Sequence, residues 1–186
     1  MTQLHSSPTV ANEPIRLNIG CGESRRRGYI GVDARPDKGT DVVAPAWDLS
    51  HWPVGSIDEI YCRHTLEHLD PGDARRALLA WHDALKPGGL VHLIVPDLLF
   101  HARQLLGEVT SWDDNPERNF EHAIKSLYGW RAECRGGDGE DAHRWGYTEA
   151  SLTELLRDCG FIEIRRVREG EDSEPWHLNV TCVRPS

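Results

Sequence analysis

IRLNIGCGESRRRGYIGVD, residues Ile15 to Asp33, contains two short apolar bursts, the first closed by Gly20-Cys21-Gly22 and the second by Asp33. Bursts of this length bounded by Gly or Asp read as short buried strands. A strand that ends in Gly-x-Gly lets backbone amides approach a ligand where any side chain would obstruct it. A carboxylate at the end of the neighbouring strand can accept hydrogen bonds from both hydroxyls of a ribose. Strand ends that each supply one of these elements make a nucleoside site. A dinucleotide fingerprint would need a third glycine at Arg25, opening a helix, with an acid about 20 residues on. Arg25-Arg26-Arg27, with no apolar helical pattern behind it, argues against pyrophosphate binding. Six residues, Glu23 to Gly28, separate the two bursts, whereas a parallel crossover usually takes ~10 to 12. A β-hairpin therefore stays open at this joint.

Further strands are predicted at Asp41 to Ala44, Ile57 to Cys62, Leu90 to Val95, Phe161 to Val167 and Leu178 to Val183. Between Ile57 to Cys62 and Leu90 to Val95, Ala74, Ala77, Leu78, Trp81 and Leu85 fall at helical spacing, and Lys86-Pro87-Gly88-Gly89 stops the helix. Two more helices are predicted, from Leu98 to Leu106 and from about Glu149 to Cys159, the latter capped by Thr148 and stopped by Gly160. Strands alternating with helices in one chain predict an α/β fold, a largely parallel sheet with helices on both faces. Ligands bind such sheets at the C-terminal strand ends. The stretch from Gly107 to Tyr147 reads as an insertion, rich in Trp, Arg, Gly and acids, with Arg135 to Asp141 as its mobile loop.

With 186 residues the chain fits one domain, residues 15 to 186 behind a leader (1 to 14) expected to be disordered. A formal net charge of -9 argues against a general binder of nucleic-acid phosphates. No stretch reaches the ~18 apolar residues of a membrane span. Five scattered cysteines without a CxxC pair argue against a disulfide framework or a cysteine zinc site, and point to a reduced, cytoplasmic setting.

In order, LNIGCG (Leu17 to Gly22), YIGVD ending at Asp33, WDLSHWP (Trp47 to Pro53), SIDEIYCRHTLEHL (Ser56 to Leu69), LKPGG (Leu85 to Gly89) and YTEASLTELLRDCGF (Tyr147 to Phe161) resemble the successive motifs of class I S-adenosylmethionine (SAM)-dependent methyltransferases. The chain looks most like a small subgroup in which the first crossover helix after GCG is shortened or lost. The resemblance implies a Rossmann-like seven-stranded sheet with its last strand antiparallel and SAM across the strand ends. Gly20, Cys21 and Gly22 would pass under the methionine and sugar, and Asp33 would hold the ribose diol. Asp48 and the Leu49 backbone would meet the adenine edge, although a surface aspartate before a turn accounts for Asp48 equally well. Arg63 and His64 would line the floor beside the reactive methyl. Arg25 to Arg27 would face an anion or, as the simpler reading, solvent.

His64-Thr65-Leu66-Glu67-His68 also fits HxxEH, the inverted zinc-peptidase signature. That motif needs a long helix, and Asp70-Pro71-Gly72 ends any helix here after about one turn. A hydroxyl or protonated amine acceptor must lose a proton during methyl transfer, and a neutral histidine suits that role near pH 7. His64 is the first candidate base and His143 the second, with no metal assigned. The expected acceptor is a small molecule covered by the insertion. Another SAM-consuming transfer and a non-catalytic SAM-binding module remain the alternatives.

Overall fold

The computed structural model describes residues 13–130 and 141–186. Most of the expected leader and of the Arg135 to Asp141 loop lies outside the described residues. Seven strands form one sheet: β1 (Arg16–Ile19), β2 (Ile30–Asp33), β3 (Val42–Val43), β4 (Ile57–Arg63), β5 (Leu85–Pro96), β6 (Ile162–Arg166) and β7 (His177–Val183). Their order is β3-β2-β1-β4-β5-β7-β6. All neighbouring pairs are parallel except those that β7 makes with β5 and β6. The helices are α1 (Pro71–Ala84), α2 (Leu98–Leu105), α3 (Pro116–Tyr128) and α4 (Glu149–Asp158).

The hairpin left open at the first joint does not form, because β1 and β2 pair in parallel with Leu17 opposite Ile30. A parallel return without a helix is possible here because the strands are four residues each, about 13 Å at ~3.3 Å per residue. The loop between Ile19 and Ile30 spans that distance easily. The connections from β2 to β3 and from β3 to β4 also lack helices. The arginine loop packs on the sheet: the Arg26 guanidinium lies 3.9 Å from the Tyr61 ring centroid, and Arg25 pairs with Asp41 at 3.2 Å.

Two other departures have plain causes. The LKPGG stop belongs to β5: Leu85 pairs with Ile57, the register then shifts, and Leu90 pairs with Glu59. Helix α3 carried no apolar signal, since its buried face is Asn119, His122, Ala123 and Ser126. Those positions have helical spacing but hardly any hydrophobicity. Its start is conventional, with the Asn115 side chain accepting from Glu117 N and Arg118 N ahead of Pro116. Helix α4 begins as predicted, Thr148 Oγ1 accepting from Ser151 N at 3.2 Å.

The core joins Leu17, Ile19, Val32, Ile60 and Leu93 of the sheet to Ala74, Leu78 and Trp81 of α1 and Leu152 and Leu156 of α4. Trp81 is fully buried, and its indole N–H donates to the Ala46 carbonyl at 2.7 Å. That bond ties α1 to the loop after β3. Trp81→Phe, which deletes the donor and leaves a buried carbonyl unpaired, is expected to cost about 1 to 3 kcal/mol. Trp81→Ala should cost about 3 to 5 kcal/mol by opening a cavity. Urea unfolding of the two variants checks this, and a loss below about 1 kcal/mol for Trp81→Ala would remove Trp81 as the anchor.

Candidate active site

The end of β1 is shaped by contacts that tolerate only glycine. Gly20 has φ +69°, and a Cβ there would lie 1.8 Å from Thr65 Oγ1. This close approach joins the β1 turn to the turn after β4. Gly22 donates its amide to Asp33 Oδ2 at 2.8 Å, and Arg35 N donates to Oδ1 at 3.0 Å. One backbone amide on each oxygen fixes the carboxylate plane and leaves further lone pairs free. Gly20, Gly22, Asp33, Ala34 and Arg35 line one end of a cavity of about 640 Å³, within the ~300 to 1,000 Å³ typical of small-molecule sites. Ala44 to Trp47 wall its side.

Not every predicted residue reaches this cavity. Asp48 is turned to its own loop, its Oδ1 accepting from Ser50 N at 3.1 Å, and Leu49 is in the core. Cys21 is buried beneath the turn, Sγ 3.8 Å from Thr40 Oγ1. Arg63 is absent from the cavity wall and makes a two-pronged pair with Asp172 at 2.8 and 2.9 Å. Arg25 to Arg27 are also absent from the cavity wall. Of the insertion aromatics, Trp130 lines the cavity, while Tyr147 joins the core.

Six histidines, His64, His68, His101, His122, His143 and His177, line the same cavity. They come from the turn after β4, α2, α3, the segment before α4 and β7. No sequence spacing could have grouped them, and only His64 and His143 were anticipated. His64 sits at φ +50°, a strained backbone for a non-glycine residue. Its Nδ1 is 3.0 Å from Glu67 Oε1, which orients Nε2 as the free nitrogen. The 3-10 turn Leu66–His68 carries Glu67, whose backbone carbonyl accepts from Arg144 N and Trp145 N at 2.8 and 3.1 Å. That pair of bonds docks the end of the insertion beside His64. His64 and His68 share no long helix, so the zinc-peptidase geometry is not formed.

Electrostatics keep most of these imidazoles neutral. Burial lowers the pKa of His101, His143 and His177, and lowers His122 to about 4, with His101 and His177 adding to the effect there. Burial alone would raise the Glu67 carboxyl, but the His64 hydrogen bond and the neighbouring His64, His68 and His143 outweigh it and hold it below its ordinary value. A buried relay sets the tautomers on α2 and α3. His101 Nδ1 donates to Gln104 Oε1 at 3.0 Å, and Gln104 Nε2 donates to Asn119 Oδ1 at 2.8 Å and to His122 Nδ1 at 3.3 Å. Gln104 thus orients both rings, and His122, accepting at Nδ1, carries its proton on Nε2.

The sequence matches the profile of the family described as "Methyltransferase domain" over residues 16–163. The chain therefore belongs to that family and is a class I SAM-dependent methyltransferase. No curated protein matches it. Solved structures share the fold: an S-adenosylmethionine-dependent methyltransferase from Mesorhizobium loti (20% identity, 91% of this chain and 90% of that one, TM-score 0.59); and the Burkholderia thailandensis 1,6-didemethyltoxoflavin-N1-methyltransferase, solved with 1,6-didemethyltoxoflavin and S-adenosylhomocysteine (16% identity, 94% and 72%, TM-score 0.57). A possible histamine N-methyltransferase from Thermotoga maritima is similar as well (19% identity, 94% and 84%, TM-score 0.56).

The neutral histidines predict a pH dependence of stability. Unfolded His122 takes up its proton near its ordinary 6.5, folded His122 only at about 4. Between those values the unfolded chain binds more protons, so stability is complete above about pH 6.5 and falls as pH drops towards 4. Urea midpoints measured across this interval should decline, and His122→Gln should flatten the decline. An unchanged slope in the variant would place the burden on the other histidines.

Proposed function

We propose that the enzyme methylates an oxygen or nitrogen of a small-molecule acceptor bound against the histidine end of the cavity, and that it does so in the cytoplasm. The observation that carries this is that a single cavity is lined both by Gly20 and Asp33 and by His64, His101, His122, His143 and His177. A space of about 640 Å³ that must also admit SAM leaves room for a metabolite-sized partner. The fit to the methyl donor is local and steric. Gly20 and Gly22 leave clear the path of the methionine and sugar, the Asp33 carboxylate is pre-oriented for a ribose diol, and Ala44 to Trp47 offer a mostly apolar wall for a base. Cys21 contributes backbone at the turn, while the adenine-edge role expected of Asp48 and Leu49 passes to Ala44 to Trp47.

SAM supplies a methyl on a sulfonium, so the acceptor's lone pair forms the new bond as the carbon–sulfur pair leaves with sulfur. The protein's share is alignment, exclusion of water and removal of one proton. His64 takes the proton in this reading, supported by the hold of Glu67 on its Nδ1 and by its position in the cavity wall. His143, its Nδ1 donating to the Ser126 carbonyl at 2.8 Å, is the second candidate. The relay of His101, Gln104, Asn119 and His122 gives the cavity a polar wall at His101 and His122. That polarity favours a ligand with hydrogen-bonding groups.

Asp33→Ala should weaken S-adenosylhomocysteine binding by about 1.5 to 3 kcal/mol in calorimetry, with the fold retained; unchanged affinity removes the ribose role. His64→Ala should lower turnover roughly 10²-fold or more while leaving S-adenosylhomocysteine affinity within a few-fold. The reading as a whole is tested by incubating the enzyme and SAM with a panel of small hydroxyl and amine compounds and weighing the products. Methylation of a protein or nucleic acid in place of any small compound would overturn it.

A further inference from the structure

Beside the histidines lies a carboxylate oxygen that the methyl-transfer reading does not use. Glu67 is 1% exposed, and its Oε2 has no hydrogen-bond partner. Its Oε1 is already taken by His64. An unsatisfied oxygen on a buried acid is among the costliest groups a fold can carry. Beside it stand His68 and His143, whose rings meet edge to face with centroids 4.8 Å apart. Each turns Nδ1 to a backbone carbonyl, His68 to Ala142 at 3.3 Å and His143 to Ser126 at 2.8 Å. Those bonds place the proton on Nδ1 and leave the Nε2 lone pair free. A histidine anchored to a backbone carbonyl through one nitrogen is the arrangement that orients metal ligands.

We propose that Glu67, His68 and His143 bind one divalent transition-metal ion, whose remaining positions face the cavity and take an oxygen of the acceptor. One donor atom from each residue lies within 4.8 Å of the other two. Some point is then within about 2.8 Å of all three, so shifts of under about 1 Å reach the ~2.0 to 2.2 Å of imidazole and carboxylate bonds to zinc. Two imidazoles and one carboxylate suit Zn²⁺, Fe²⁺, Co²⁺ or Ni²⁺ better than Mg²⁺ or Ca²⁺. A three-ligand set keeps positions open, as catalytic sites require. His68 and His143 both line the cavity, so those positions meet the substrate. The acceptor class narrows to compounds with an acidic or chelating oxygen, such as an enol, a phenol with a neighbouring oxygen, or a hydroxy acid. His143 becomes a ligand, and His64, on the other oxygen of Glu67, remains the base. A second group, Asp172, Glu174 and His177, also lies close enough to hold an ion, but both oxygens of Asp172 are taken by Arg63.

The metal site stands on its own geometry, while the acceptor class rests on the small-molecule reading above. The test uses the full chain stripped with a chelator and titrated with Co²⁺, whose visible bands report ligand type. Expected is one equivalent bound, without the intense thiolate band that cysteine ligation would give, and a band shift when pyrocatechol is added. His68→Ala and Glu67→Gln should each weaken Co²⁺ binding more than roughly 100-fold, beyond the 10- to 100-fold typical of orienting partners. S-adenosylhomocysteine affinity in both variants shows that the fold survives, and Glu174→Gln should bind Co²⁺ as the parent does. Failure of the parent to retain Co²⁺ or Zn²⁺ while it binds S-adenosylhomocysteine overturns the metal site, as does equal retention by His68→Ala. Retention without a pyrocatechol shift overturns the acceptor's place on the ion. If Co²⁺ is held but no small compound is methylated with metal present, the small-molecule reading fails and the metal site stands.

Discussion

A carboxylate shut away from water organises the histidine-lined part of the cavity. Glu67 is buried to 1% exposure in the turn after β4, where a charge is tolerated only with partners. Its side chain fixes His64, and its backbone carbonyl receives the amides of Arg144 and Trp145. Three consequences follow from one residue: the orientation of the imidazole, the docking of the segment that closes the cavity, and a field that favours positive charge nearby. Gly20 makes the complementary constraint at the donor end, because only a residue without Cβ lets Thr65 come so near. Together they bring the ends of β1 and β4 into one wall.

The apolar half of this architecture was legible in the sequence. Strand bursts, the α1 periodicity, the Thr148 cap and the pairing of Gly-Cys-Gly with Asp33 all report burial or strain through residue type, which is what a linear pattern records. Helix α3 was invisible because its inner face is Asn119, His122, Ala123 and Ser126, and a hydrophobicity rule cannot register a polar face that a network satisfies internally. The histidine cluster escaped for another reason. Its members are spread from residue 64 to residue 177, and proximity between distant segments is a property of the folded chain alone.

Two residues expected at the site do not line the cavity, and each has a local partner of its own. Arg63 follows a buried strand residue and precedes His64, so motif order puts it at the site, yet its guanidinium is committed to both oxygens of Asp172. Asp48 lies beside the correct loop, but an aspartate two residues before Ser50 closes its own turn. Position in a motif identified the loop, and local stereochemistry decided which residue of the loop faces inward.

The polar inner face of α3 separates two tasks within one chain. Apolar packing in the sheet, α1 and α4 secures the fold, whereas α3 and α2 meet through Gln104, Asn119, His101 and His122, side chains of adjustable size and hydrogen-bonding sense. Substitutions among these four redraw the chemical face presented to a ligand and leave the apolar core untouched. Descendants of such a chain can therefore change what this face of the cavity accepts by a few substitutions on α2 and α3, and relatives with the same sheet should differ most in this quartet.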